Sequence, residues 1–324
     1  MLGLRGGADA VPDRTRLSVL PAVGYSDVKE LRAPGLSERS RGNSIPPDRF
    51  RWRRKRTPCP EAASSLECGY NGFVARKREQ RKQDLARRHV STGAMRAQAA
   101  AESACAEVRR TASGLLQHDD RANRVIRLAN AARDLALRVV QGSPDAGRHE
   151  CRAGCAFCCH TAVTAAPPEV MTVFNHLREH CTAEELAEIR RRIETNAESA
   201  SCMTCAEYTA ASIRCALLTD DGNCRVHPVR PLACAGFLST SRAACEAEFH
   251  RVSGRAEVPV DRYAMLVCLG ASHGLRDACR EGGLDGEFYE LHHALRRIWD
   301  QPDAPKAWAA GQMLFASCPR ADTW

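Results

Sequence analysis

The sequence predicts a mainly α-helical fold: a single helical domain gathered around a loop-borne, cysteine-rich metal centre and preceded by a disordered extension. Three observations carry this. Aromatic residues make up only 5% of the 324 residues, which suits small, Ala-rich helix contacts better than a β-sandwich. Apolar residues recur at steps of three and four through most of the chain after residue 95. Finally, 11 of the 17 cysteines fall between Cys151 and Cys245, on stretches interrupted by Gly and Pro.

The charge is uneven. Residues 1–94 hold 20 Lys+Arg against 10 Asp+Glu, while the remainder holds 27 against 29. The body therefore offers no electrostatic case for nucleic acid or an anionic membrane, although the net charge of the whole chain is +8. Residues 1–94 are rich in Arg, Pro, Gly and Ser and show no sustained period. They read as a disordered basic extension, or as a non-native one upstream of a start at Met95. The first ten residues lack the apolar core of a secretory signal, and no run of 18 apolar residues marks a membrane span. A reducing cytoplasm is the resulting expectation, and there clustered cysteines are metal ligands more often than cystines.

Residues 95–324 form the expected domain, with its core at 149–250. An Ala-rich helix runs from Met95 to about Gln117. Asp119 or Asp120 caps a second helix, striped by Val125, Leu128, Ala132, Leu135 and Val139 and ended by Gly142-Ser143-Pro144. The pair reads as an antiparallel hairpin. Pro167-Pro168 opens a helix to about His180, since proline is tolerated in a first turn. Thr182 and Glu185 make a capping box for a helix to about Ser199, and a short helix covers Cys205 to Ile213. Cys215 to Cys224 reads as two extended pieces around an Asp-Asp-Gly-Asn turn. The two prolines of His227-Pro-Val-Arg-Pro231 predict non-helical chain around Cys224 and Cys234. Helices follow over Asp261–Cys279 and Asp285–Trp299, and from Pro305 with Trp308 and Phe315 on one side.

The chemistry lies in the cysteines. Thiolates are soft anionic donors that suit Zn²⁺ and iron–sulfur clusters. Cys151-x3-Cys155-x2-Cys158-Cys159 places four within nine residues, on a loop that Gly154 allows to bend. Adjacent Cys158 and Cys159 cannot be aimed alike by one regular element, so a bend or two metal sites is implied. The downstream candidates are Cys215, Cys224, Cys234 and Cys245. Eight thiolates make two four-coordinate zinc sites, one shared polynuclear site, or one iron–sulfur cluster with spare ligands. His160 and His227 adjoin the cysteines but read as outer or surface residues, and Glu169, Asp220 and Asp221 as cap or turn residues. Cys202 and Cys205 form a weaker pair at a helix start. No Walker loop, dinucleotide fingerprint, nucleophile elbow or His-Glu-x-x-His appears.

These residues resemble the YkgJ-like cysteine-cluster family, whose CxxCxxCC domain chelates zinc or iron. The resemblance rests on Cys151 to His160 with Glu169, then Cys215-Ala-Leu-Leu, Gly222-Asn-Cys224, Arg230-Pro-Leu-Ala-Cys234, Ser241 and Cys245. It covers about residues 149–250. It implies a metal-binding protein with a structural or chelating site that holds zinc or iron, the iron as an ion or as an iron–sulfur cluster. The family's enzymatic branch, the flagellin lysine methylases, gives the alternative expectation of a protein-lysine methylase. One departure stands out: the family has Arg after the cysteine of its RPxxC segment, and this chain has Ala235. Unless Arg230 or Arg242 substitutes, that leaves thiolate charge unbalanced. The spacing of Cys151, Cys155 and Cys158 also matches the cluster motif of radical-SAM enzymes, but the βα alternation of their barrel is missing.

Overall fold

The first helix begins well before Met95. The computed structural model describes residues 66–117, 123–250 and 258–322, with side chains from residue 92 onward. In it, α1 runs unbroken over Leu66–Gln117. The expectation that helix starts only at Met95 is thereby corrected. Residues 66–94 carry no apolar stripe, but they are rich in Arg, Lys, Gln, Glu and Ala, which favour helix without one. Disorder was expected over 1–94; residues 1–65 of that span lie outside the described residues. The chain divides into two compact units, the segment from Arg96 onward belonging to one and the helical stretch Leu66–Met95 to the other.

From Arg96 onward the architecture is helix packed on helix. α2 spans Arg124–Val140 and buries Val125, Leu128, Ala132 and Leu135, as its period predicts. The capping candidates Asp119 and Asp120 lie outside the described residues; Asn123 precedes the helix. α3 (Pro167–His180), α4 (Ala183–Ser201) and α5 (Cys205–Ala210) follow, and Thr182 caps α4 with Glu185 in the expected box. Two short helices, α6 (Leu232–Gly236) and α7 (Arg242–Phe249), carry the last two candidate cysteines. The chain closes with α8 (Arg262–Glu281), α9 (Leu291–Ile298) and α10 (Ala304–Ala309). No described helix is long and apolar enough to cross a membrane.

Helix α8 is the centre of the packing: α2 and α6 lie against it. Residues 101–109 of α1 also approach it at backbone distance. A Cβ added to Gly270 would overlap the Ala101 carbonyl, and one added to Gly274 the Cys105 carbonyl. Helices come this close only where one side lacks side chains. Asp261 caps α8 by accepting the Ala264 N–H at 2.9 Å, and the same carboxylate accepts from the Ser143 hydroxyl at 2.6 Å. His149 Nε2 is 2.8 Å from it. The loop leading into the cysteine stretch is thus fastened to the start of α8.

One short ribbon completes the frame. β1 (Thr164–Ala165) pairs antiparallel with β2 (Tyr289–Glu290), Thr164 opposite Glu290. This shortens the helix expected over Asp285–Trp299, because Phe288 to Glu290 run extended before α9 begins. α9 then packs on α3 and α4. The last helix also ends earlier than its apolar pattern implies: Trp308 is buried within α10, and Phe315 is buried beyond it.

Candidate metal centre

The two halves of the cysteine pattern meet through their glycine turns. Gly154 (φ +78°) bends the Cys151–Cys159 loop, and Gly222 (φ +80°) turns the chain between Leu218 and Cys224, which form an antiparallel bridge. Both positions need glycine because of that positive φ. The turns also touch: a Cβ on Gly222 would lie 3.3 Å from the Gly154 carbonyl oxygen and 3.7 Å from Ala156 Cβ. Beside this contact, the Cys215 N–H donates to the Cys159 carbonyl at 2.9 Å. Asp220 and Asp221 are turn residues, as expected: Asp220 pairs with Arg192, and Asp221 accepts from Asn223 at 2.6 Å.

The remaining two cysteines arrive on helices. Cys234 lies inside α6, not on the extended chain that its neighbouring prolines predict. Pro231 explains the difference: it stands just before the first helical residue, where its fixed φ and missing N–H cost nothing. The start of α6 is held by Glu169, a buried residue whose carboxylate accepts the Leu232 N–H at 2.8 Å and the Ala166 N–H at 3.0 Å. Glu169 therefore does more than the cap role read from sequence, since it ties α3 to the segment that carries Cys234. Cys245 comes from α7, which packs on the single helical turn Phe157–His160. Phe249 stacks near Phe157 and His160 there, with centroids 5.7 and 4.7 Å apart, and Arg242 sits 5.2 Å above the Phe157 ring.

The thiols fall within electrostatic reach of one another as two overlapping groups. Burial pushes the Cys155 pKa up, and Cys151 and Cys158 add to it. Burial likewise raises Cys245, reinforced by Cys151, Cys158 and Cys155. In the other group, burial raises Cys224 and, more strongly, Cys234, with Cys215 and Cys158 adding to both. Cys158 belongs to both sets; its hydrogen bond to the Cys159 thiol, and then burial, lift it far above the ordinary range. Cys151 also accepts the Ser239 N–H at 3.3 Å. Arg230 opposes these shifts at Cys158, Cys224 and Cys234, and Arg242 does so at Cys155. Two guanidinium groups thus stand where an Arg at position 235 would have been expected to act. Ala235 itself is buried, at 1% exposure. Among the described residues, no three His, Cys, Asp or Glu side chains are set at metal-binding spacing, so the thiols are gathered but not closed upon a point. Thiols are donors of the kind that suit a thiophilic ion.

Neither neighbouring histidine joins the group. His160 Nδ1 is 3.0 Å from the Ala156 carbonyl, and His227 is exposed. Cys202 is exposed at the end of α4, and Cys205 opens α5. The histidine that does reach a candidate ligand is one that no sequence motif marks. Glu290, fully buried, accepts two backbone N–H groups and faces two rings: Oε1 lies 3.0 Å from His292 N and 2.9 Å from its Nδ1, and Oε2 lies 2.7 Å from His293 N and 2.8 Å from its Nδ1. This anchors Nδ1–H of both rings to the carboxylate and turns His292 Nε2 toward the Cys215 segment. The Ala216 N–H points at Nε2 from 3.3 Å, and Asn196, whose amide is oriented by donating to the Arg214 carbonyl at 2.8 Å, approaches it at 3.4 Å. Burial alone would lower the His292 pKa; the Glu290 charge outweighs it and raises it, with Cys215 acting in the same sense.

No protein-family model matches this chain, and comparison with curated proteins and with solved structures finds no significant match. The case for its function accordingly rests on these residues and their surroundings. Glu290, His292 and His293 carry no metal-motif spacing. The only signal of them in the sequence is an acidic residue at a helix start followed by paired histidines, and that pattern reads as a cap.

Proposed function

We propose that this chain binds a thiophilic metal in a structural or chelating site, either zinc or iron, the iron as an ion or within an iron–sulfur cluster. Cys151, Cys155, Cys158, Cys159, Cys215, Cys224, Cys234 and Cys245 would hold it. The observation that carries the reading is the convergence of the cysteine-bearing segments: the Cys215 N–H donates to the Cys159 carbonyl, the turns at Gly154 and Gly222 touch, and α7 with Cys245 packs on Phe157–His160. Packing alone does not call for so many thiols on adjoining segments. A bound cation replaces the protons that burial and mutual repulsion hold on these sulfurs, and binding releases those protons to solvent. Arg230 and Arg242 would offset the thiolate charge in excess of the ion's own. The Glu290–His292 pair would orient a ring nitrogen beside the Cys215 ligand, the role carboxylate–histidine pairs play next to metals.

The test is anaerobic purification of the full chain, followed by elemental analysis and a visible spectrum. Stoichiometric zinc in colourless protein, or iron with acid-labile sulfide in brown protein, is the expected result. Cys158→Ser and Cys234→Ser should each release metal. Because the folded form brings the cysteine segments together, it binds metal more tightly than the unfolded chain, and the holo protein should exceed the stripped one by up to about 4 kcal/mol at a thousandfold excess over Kd. Cys202→Ser, outside the group, should change neither quantity. Protein that retains no metal after reconstitution, and whose stability is indifferent to Cys158→Ser, would remove the reading.

A further inference from the structure

Helix α9 ends in a cleft that the cysteine centre does not use. The cleft measures about 330 Å³ and is lined by His293, Arg296, Arg297 and Asp300 from α9 and its end, and by Ser317 and Cys318 from the chain beyond α10. Its floor is buried: His293 is 7% exposed and Cys318 8%. Its rim is cationic, because Arg296 and Arg297 are exposed and neither has a side-chain hydrogen bond or ion pair among the described residues. Two neighbouring arginines at a helix end also complement the partial negative charge there. That fraction of a charge is smaller than the two full charges, and part of the end is already engaged, the Ile298 carbonyl accepting the Gln301 N–H at 2.9 Å.

The acidic residue of the cleft does not cancel the arginines. Both carboxylate oxygens of Asp300 accept from Arg190 at 2.8 Å, a two-point pair that neutralises it from outside the lining. Cys318 adds no negative charge near neutrality, since burial pushes its thiol up to about 11 against the pull of Arg297. Ser317 supplies a hydroxyl at the rim. The lining is therefore a concave surface with two uncommitted guanidinium groups, a hydroxyl and a buried imidazole. Guanidinium forks match the paired oxygens of a phosphate or carboxylate. The volume lies at the lower end of the range for small-molecule sites.

We propose that this cleft binds the phosphate or carboxylate head of a small anionic molecule through Arg296 and Arg297. The inference is independent of the metal-binding reading, and protein stripped of metal serves to test it. The full chain would be titrated calorimetrically with inorganic phosphate and, separately, with acetate, at constant ionic strength held with sodium chloride. Saturable binding of phosphate alone identifies a phosphate head, of acetate alone a carboxylate head, and of both an unselective oxyanion site; each supports the proposal. Arg297→Gln should weaken binding at least fivefold and the Arg296→Gln/Arg297→Gln pair should abolish it, while Arg280→Gln, which removes an arginine that pairs with Glu287 away from the cleft, should leave it unchanged. Asp300→Asn should tighten binding, because it removes a negative charge and releases Arg190. The arginines are exposed, so circular dichroism should show both variants folded. Absence of saturable binding for both anions, or binding that survives the double substitution, would overturn the proposal.

Discussion

Replacing Glu290 by Gln keeps the shape of the side chain and removes its charge, so it isolates what the carboxylate does. The native group accepts two backbone N–H bonds, at 3.0 and 2.7 Å, and two ring contacts, at 2.9 and 2.8 Å, in a site with no solvent exposure. A Gln amide oxygen can retain the pair from His292. Its NH2 group then faces the His293 backbone N–H, which loses its acceptor. The His293 ring escapes the same fate by changing tautomer: Nδ1 accepts from the amide, and Nε2–H donates to the Ser201 hydroxyl 2.8 Å away. One buried unsatisfied N–H costs about 1–3 kcal/mol, and the bonds that stay lose their charge assistance. The expected destabilisation is therefore about 2–4 kcal/mol, a fall in melting temperature of about 5–10 °C for a chain of this size. Urea unfolding followed by far-UV circular dichroism measures it, and the His293 nitrogen shifts report the tautomer directly. A loss below about 0.5 kcal/mol, or an unchanged tautomer, would show that the four contacts do not hold α9 and the two rings in place.

Two further predictions concern the core. Gly274→Ala puts a methyl group into the Cys105 carbonyl, a backbone atom that cannot rotate away, so α1 and α8 must separate. Overpacking should outweigh the helix-propensity gain and leave a net loss of about 1–3 kcal/mol, whereas Gly114→Ala, with nothing within 4 Å, should gain up to about 1 kcal/mol; denaturant midpoints of the two variants should move in opposite directions, and equal midpoints would contradict the packing. The second concerns alkaline pH. Burial pushes the Cys268 and Cys279 thiols up to about 12, from an ordinary value near 9. A folded pKa above the unfolded one means that the native state holds the proton more tightly. That stability is complete below about pH 9 and is lost as pH rises toward 12, at up to about 1.4 kcal/mol per pH unit for each thiol. Cys279→Ala should flatten the fall in stability between pH 8.5 and 10.5, measured under reducing conditions, and parallel profiles for the variant and the native chain would refute the assignment.

Helix positions were legible wherever an apolar stripe or a cap marked them: α2, α3 and α4 begin and end close to where Val125, Pro167 and Thr182 place them. Leu66–Met95 was not, because a helix formed by propensity alone leaves no periodic trace. Cys234 was misplaced because Pro231 was read as forbidding helix, when a proline just ahead of a helix is compatible with it. The cysteines were legible only as a pattern of thiols along the chain, and the touching turns at Gly154 and Gly222 account for how the two loops that carry six of them meet. Glu290 and its histidines were not legible, since only tertiary packing brings α9 to Cys215. The cationic cleft was equally hidden: Arg296 and Arg297 look like an ordinary charged helix end until Arg190 is seen to occupy Asp300.

The two-residue ribbon that joins Thr164 to Glu290 has a consequence for the order of events during synthesis. All eight candidate cysteines precede Tyr289 in the chain. The thiols therefore emerge from the ribosome first, and the carboxylate that holds the His292 and His293 rings arrives only with the later residues. During that interval the Cys215 segment lacks the His292 side of its surroundings. Closing so distant a pairing is slow relative to forming local helices. The late strand acts as a latch, and a nascent chain carries the whole cysteine set unlatched until Tyr289 and Glu290 dock along Thr164 and Ala165.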